Sequence, residues 1–100
     1  MIIYNITCKV RWAIWEAWLE WQLEQQIPAT LATMLFDDYR IYRLLEQEED
    51  EGPTFVIQFL TTSHERYQQF SREYAGDLLQ AGWEKWADGF IAFRTLMETL

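Results

Sequence analysis

The hydrophobic period of this chain switches in a fixed order, and that order constrains the fold more than any other feature. Met1 to Val10 sets Ile2, Tyr4, Ile6, Cys8 and Val10 against Ile3, Asn5, Thr7 and Lys9. That is a period-2 strand with one fully apolar face. From about Trp12 the period becomes helical. Glu16, Glu20 and Glu24 then share one side, and Ile14, Trp15, Trp18, Leu19, Trp21 and Leu23 spread over the remainder. Pro28 ends that helix or opens a short second one over Ala29 to Met34, because proline suits a first-turn position. Phe36 to Glu46 reads as a second strand. Glu46 to Pro53 is a charged hairpin loop closed by Gly52 and Pro53, and Thr54 to Thr61 is a third strand rich in Phe, Val and Ile. Thr62 followed by Glu65 matches a capping box that starts a helix at Ser63. In that helix Tyr67, Phe70, Tyr74, Leu78 and Ala81 form one stripe, while Leu79, Trp83 and Trp86 lie on a different side. The change of side predicts a kink or restart near Gly76. Asp88-Gly89 ends the helix, and Phe90 to Leu100 is the last strand.

The order is β-α-β-β-α-β in a single domain over residues 1–100. Two right-handed crossovers place the first and third strands in the middle of one four-stranded antiparallel sheet, with helices on one face. This is the α+β, ferredoxin-like arrangement. A chain of 100 residues supports one core, and 50% hydrophobic content with 17% aromatics excludes disorder.

The formal charge of −8 repels phosphate backbones, and the eight basic residues are scattered from Lys9 to Arg94 without forming a stripe. Nucleic acid is therefore not an expected partner. Apolar runs such as Phe55-Val56-Ile57 are too short to cross a bilayer, so no membrane association is expected. Met1 leads straight into a strand with no leader signature. The lone Cys8 forms no intramolecular disulfide and suits a reducing compartment. The expected location is cytoplasmic.

Met1-Ile2-Ile3-Tyr4-Asn5, Trp18-Leu19-Glu20-Trp21, Ile27-Pro28, Arg43-Leu44-Leu45 and Phe93-Arg94-Thr95-Leu96 fall at the start, middle and end of the chain. In order and spacing they resemble a bacterial family of about this length, domain of unknown function 4286. The resemblance implies a ferredoxin-like fold of the dimeric α+β barrel kind and no established activity. It also departs from the family pattern, which often has histidines where Trp15, Gln26 and Gly82 stand here and a glycine in place of Met34. A metal or proton-transfer role for those histidines would not carry over to this chain.

No residue pattern amounts to a catalytic signature. His64, the only histidine, sits at a helix start with no cysteine or carboxylate at metal-ligand spacing, and reads as a surface residue. Cys8 lies on the apolar face of its strand and reads as a small buried hydrophobe, not a nucleophile. The carboxylates between Glu46 and Glu51 lack the alternating spacing of a calcium loop and read as a solvated hairpin tip. No metal or redox cofactor is expected. Trp12, Trp15, Trp18 and Trp21 recur every three residues and so wind round half the helix, more than one sheet can cover, which points to a patch for a partner.

The polar residues that interrupt apolar strands supply the one candidate site. Asn5 with Thr7, Gln58 on the third strand and Arg94 on the fourth are expected on the sheet face away from the helices. Ile91, Phe93, Thr95 and Met97, the more apolar set of the last strand, are then expected towards the helices. Arg40 and Arg43 point to opposite faces, so only one can join the cluster. In dimeric α+β barrels two such faces meet and enclose a cavity. There Asn5, Tyr39, Arg43, Gln58 and Arg94 would suit a small molecule with a carboxylate or another polar oxygen, Tyr42 standing as an alternative to Tyr39. Both sheet faces are apolar and helices can cover only one, so a homodimer through the open face is expected, with the first helix's tryptophans at its margin. The function read from these features is a non-catalytic homodimeric binding or interaction domain. Two alternatives stand beside it. One is a small cofactor-free enzyme, isomerase or oxygenase-like; the other is a structural subunit docking through the tryptophan-rich helix.

Overall fold

In the computed structural model, which describes all residues Met1–Leu100, the strands are β1 (Ile2–Val10), β2 (Asp38–Arg43), β3 (Thr54–Thr61) and β4 (Phe90–Glu98). Between β1 and β2 runs one continuous helical rod, made of α1 (Trp15–Trp21), a widened π-type turn (Gln22–Gln26) and α2 (Ile27–Leu31). Helices α3 (His64–Glu73) and α4 (Ala75–Trp86) join β3 to β4. The strands lie in the order β2-β3-β1-β4, every pair antiparallel. The first and third strands are thus central, in the ferredoxin-like arrangement. No helix is long and apolar enough to cross a membrane.

Burial alternates strictly along β3 and, apart from the half-buried Ile6, along β1, as a sheet covered on one side requires. Tyr4, Cys8 and Val10 of β1 and Phe55, Ile57 and Phe59 of β3 are buried beneath the helices. Phe36, Tyr67 and Phe70 close over Tyr4 and Phe59, with ring centroids 4.8–6.4 Å apart. Trp18, fully buried, stacks on Phe55 at 5.5 Å and tilts against Phe90 at 5.8 Å.

Several element boundaries differ from the sequence reading for local reasons. The cap of α3 is Ser63 itself, whose side chain accepts from the Arg66 N–H at 3.3 Å, so Thr62 and Glu65 form no capping box. Between α3 and α4 the break falls at Tyr74 (φ −127°), two residues before Gly76. Pro28 stands in the first turn of the short α2, as expected, although α2 spans Ile27–Leu31 and continues the first helix without a break. Its missing N–H and its ring displace the bonding of the preceding turn, and the helix absorbs this by widening over Gln22–Gln26. Strand β2 is shorter than expected, and Glu46, with φ 58°, already lies in the loop. That loop returns tightly onto β1: Val10 N–H donates to Pro53 O at 3.0 Å and Trp12 N–H to Glu51 O at 3.2 Å.

The four tryptophans of the first helix are mostly consumed within the fold, against the expectation of a free patch. Trp18 and Trp21 are buried, Trp15 stacks on Phe55, and the Trp12 indole donates to Glu49 O at 2.8 Å beneath the Arg43 guanidinium.

Candidate functional site

Register decides which side chains meet. Directly opposed residues of an antiparallel pair share a face, and Ile6 stands opposite both Ile57 and Arg94. Ile57 is buried under the helices, so Arg94 is on the helix side of the sheet, not on the face away from them. Its neighbours Ile91, Phe93, Thr95 and Met97 occupy the outer face, the reverse of the expectation.

The five residues read as one site therefore divide. Asn5 and Gln58 are opposed on the outer face, where Gln58 Nε2 donates to Asn5 Oδ1 at 3.2 Å and Asn5 Nδ2 to Thr7 Oγ1 at 3.3 Å. Arg40, opposite Gln58, shares that face but holds Asp38 at 2.5 Å. Tyr39 pairs with Phe59 and Arg43 with Phe55, which puts both on the helix side. Arg43 is tied there to Glu49 at 2.9 Å. A two-residue polar pair remains outside, and it makes no cluster with Arg94.

Arg94 instead stands on a cavity of about 60 Å³ between the sheet and the helices. Strand β1 contributes Tyr4 and Cys8 to its floor, the widened turn and α2 contribute Gln22, Gln26 and Thr30, and β4 contributes Arg94. The walls are aromatic, with Trp21, Phe59, Phe70 and Phe90, and Gly82 of α4 forms part of the roof. By the usual measure a site of this volume exceeds the space of a single water several times over. No aspartate or glutamate lines it. The widened turn matters to this geometry, because such turns re-aim side chains and recur at functional sites. Here it brings Gln22 and Gln26 to the same cavity.

Gln26 Nε2 donates to Leu78 O at 2.8 Å and so ties the first helical rod to α4, while Thr30 Oγ1 donates back to Gln26 O at 2.9 Å within the rod. Burial pushes the Cys8 thiol up to about 12 and raises the Tyr4 hydroxyl above its ordinary value; Arg94 opposes both shifts without cancelling them. At neutral pH the cavity therefore holds a thiol, a phenol and a guanidinium, all hydrogen-bond donors and none of them a base. His64 is exposed at the start of α3 and does not reach the cavity. Nothing in the sequence marked Gln22 as a site residue. Its signal is positional, a polar residue six before a helix-breaking proline and next to a buried tryptophan.

The family described as domain of unknown function (DUF4286) matches residues 1–100, the whole chain. The chain belongs to DUF4286. No curated protein matches this DUF4286 domain significantly. Among solved structures it is similar to an EthD family protein of Bacillus halodurans C-125, with 18% identity, full coverage of both chains and a TM-score of 0.72. HapK of Hahella chejuensis is 14% identical over 100% of this chain and 93% of its own, at TM-score 0.72. SnoaB of Streptomyces nogalater, a cofactor-independent oxygenase, is 14% identical over 98% and 91%, at TM-score 0.68. At such identities the likeness shows the fold alone, a ferredoxin-like α+β fold similar to that of dimeric α+β barrel proteins.

Proposed function

We propose that this DUF4286 domain is a homodimeric small-molecule-binding protein, with one ligand site per subunit between sheet and helices. The observation that carries the reading is the cavity itself: an aromatic-walled space with few polar groups, between the sheet and the helices. The dimer is supported by the outer face. Phe93 (68% exposed), Ile91 (58%), Tyr42 and Met97 surround the half-buried Ile3, Val56 and Leu60. Leaving such side chains in water forgoes about 1.5–3 kcal/mol each. The charges on this face are already matched, Lys9 with Glu48 and Arg40 with Asp38, so two copies can meet there with little local repulsion despite the net charge of −8. The first helix lies on the other side of the sheet, so its tryptophans have no part in that contact.

A second reading, a cofactor-free enzyme, is favoured by likeness to SnoaB and to proteins described as antibiotic biosynthesis monooxygenases. The cavity speaks against it. Tyr4 and Cys8 are held protonated and no histidine or carboxylate lines the space, so a proton-abstracting group is missing. Binding without turnover is the better-supported function. A fragment screen followed by amide and methyl NMR tests it. Ligands that shift the Ala75, Leu78 and Gly82 signals support the cavity as the site, and a screen whose hits all map elsewhere refutes it.

A further inference from the structure

The first helical rod presents a flank that the rest of the fold leaves uncovered. Trp15, Leu19 and Leu23 make one row along it at intervals of four, and Glu16, Glu20 and Glu24 make the next. The two rows line a single shallow groove to which no other element contributes, and which shares no residue with the cavity. Trp15 and Leu19 are half-buried and pack inward on the core, whereas Leu23 is 43% exposed and the three glutamates stand in solvent. A groove between two such rows is the surface into which a second helix packs. Its own row of side chains then lies between them, at a crossing of about −50°.

The charge on the groove selects the kind of helix. None of the three glutamates is in an ion pair; Lys9–Glu48, Arg40–Asp38, Arg43–Glu49 and Arg66–Asp37 all lie elsewhere. No Lys, Arg or His occurs between Arg11 and Arg40, so the rod has no cation of its own to offer. Like charges four apart on a helix repel, and this repulsion is left uncompensated within the chain. The carboxylates do not converge on a point where a metal ion could sit. An acidic row beside an apolar one is complementary to a row of Lys or Arg beside a row of Leu-like side chains. A second copy of this chain cannot supply that pattern. Its cations outside ion pairs, Arg11, Arg72, Lys85 and Arg94, fall one each after β1, on α3, on α4 and on β4.

We infer that this flank docks an amphipathic helix of a partner protein, basic along one row and apolar along the next. Its Lys or Arg side chains meet Glu16, Glu20 and Glu24, and its apolar row lies against Leu19 and Leu23.

The probe is a synthetic helical peptide with leucine at every fourth position and lysine at each following one, titrated by calorimetry and mapped by NMR. It should shift the Leu19 and Leu23 methyl signals and the Trp15 indole signal, and bind more weakly as salt is added. A version with glutamate for lysine should not bind. Combined Glu16→Gln, Glu20→Gln and Glu24→Gln should weaken the lysine peptide about tenfold or more, the sum of three exposed ion pairs. Combined Glu46→Gln, Glu65→Gln and Glu98→Gln, which removes the same charge from other exposed positions, should leave it unchanged. Leu23→Ser should weaken it while the salt dependence persists. Equal loss in the two triple variants would reduce the effect to net charge and overturn the proposal, as would shifts that map away from the rod. Failure of both the lysine peptide and its arginine version to bind would overturn it too. A change of oligomeric mass in the Glu16, Glu20 and Glu24 variant would make the flank an interface between copies and equally refute it.

Discussion

Gly82 is a position where stability and binding should move in opposite directions. It lies inside α4, buried, with ordinary helical geometry, and a Cβ added there would sit 3.7 Å from Phe90 Cζ and 3.8 Å from Trp21 Cη2. Both are normal van der Waals contacts, so Gly82→Ala introduces no clash. Alanine in a helix interior gains about 0.8–1.0 kcal/mol over glycine, and burial of the added methyl contributes about 0.8 kcal/mol more. Some of this is offset because the methyl faces a cavity wall on one side only. A net stabilisation of about 1–2 kcal/mol follows, and each kcal/mol raises Tm by about 4–8 °C in a domain of this size. The same methyl intrudes on the roof of the cavity, so affinity for any ligand bound there should fall. Calorimetric melting and urea unfolding measure the first effect, and titration calorimetry the second. A Gly82→Ala protein with lowered Tm and urea midpoint would show that the roof is tighter than 3.7 Å and would refute the reasoning. A stabilised protein with undiminished affinity would show that the ligand lies elsewhere.

Three further outcomes follow from local geometry. Gly52→Ala should destabilise by about 2–4 kcal/mol in urea unfolding, because its Cβ would meet the Val10 carbonyl and break the adjacent Val10–Pro53 hydrogen bond; an unchanged midpoint would contradict the close approach. Ala87 (φ 47°, ψ −121°), followed by Asp88 (φ −90°, ψ 15°), occupies the first central position of a type II′ turn that glycine prefers, so Ala87→Gly should raise stability by about 1 kcal/mol in the same assay. The Cys8 thiol, ionising near its ordinary value of 9.0 when unfolded and near 12 when folded, keeps its proton longer in the native state. Its contribution is complete below about pH 9 and lost as pH rises towards 12; the urea midpoint should fall across that range in the native chain and fall less in Cys8→Ala.

The sequence disclosed the order of the elements and the central place of β1 and β3, since period changes and crossover handedness act locally. It did not disclose which face of β4 lies inward. The two alternating sets, Ile91-Phe93-Thr95-Met97 and Ala92-Arg94-Leu96, were assigned by apolarity, and the more apolar set went to the core. That rule fails when the outer face is itself apolar, because both faces then satisfy it. Only the pairing of Ile6 with Arg94 resolves the choice, and register between two strands so far apart in the chain leaves no trace in composition. The same error carried Arg94 out of the cavity and into a false cluster with Asn5 and Gln58. Gln22 stayed hidden for another reason: its burial depends on the widened turn before Pro28, a response of the whole helix that no spacing rule anticipates. Cys8 and His64 were legible because each depends on its own strand or helix end.

The association of two outer sheet faces is tested most directly by light scattering coupled to size-exclusion chromatography at micromolar concentration. A single species of twice the 12.1 kDa chain mass is expected, shifting to the monomer mass in Phe93→Asp while the far-UV spectrum stays unchanged. A wild-type protein that elutes and scatters as a 12.1 kDa monomer would contradict it.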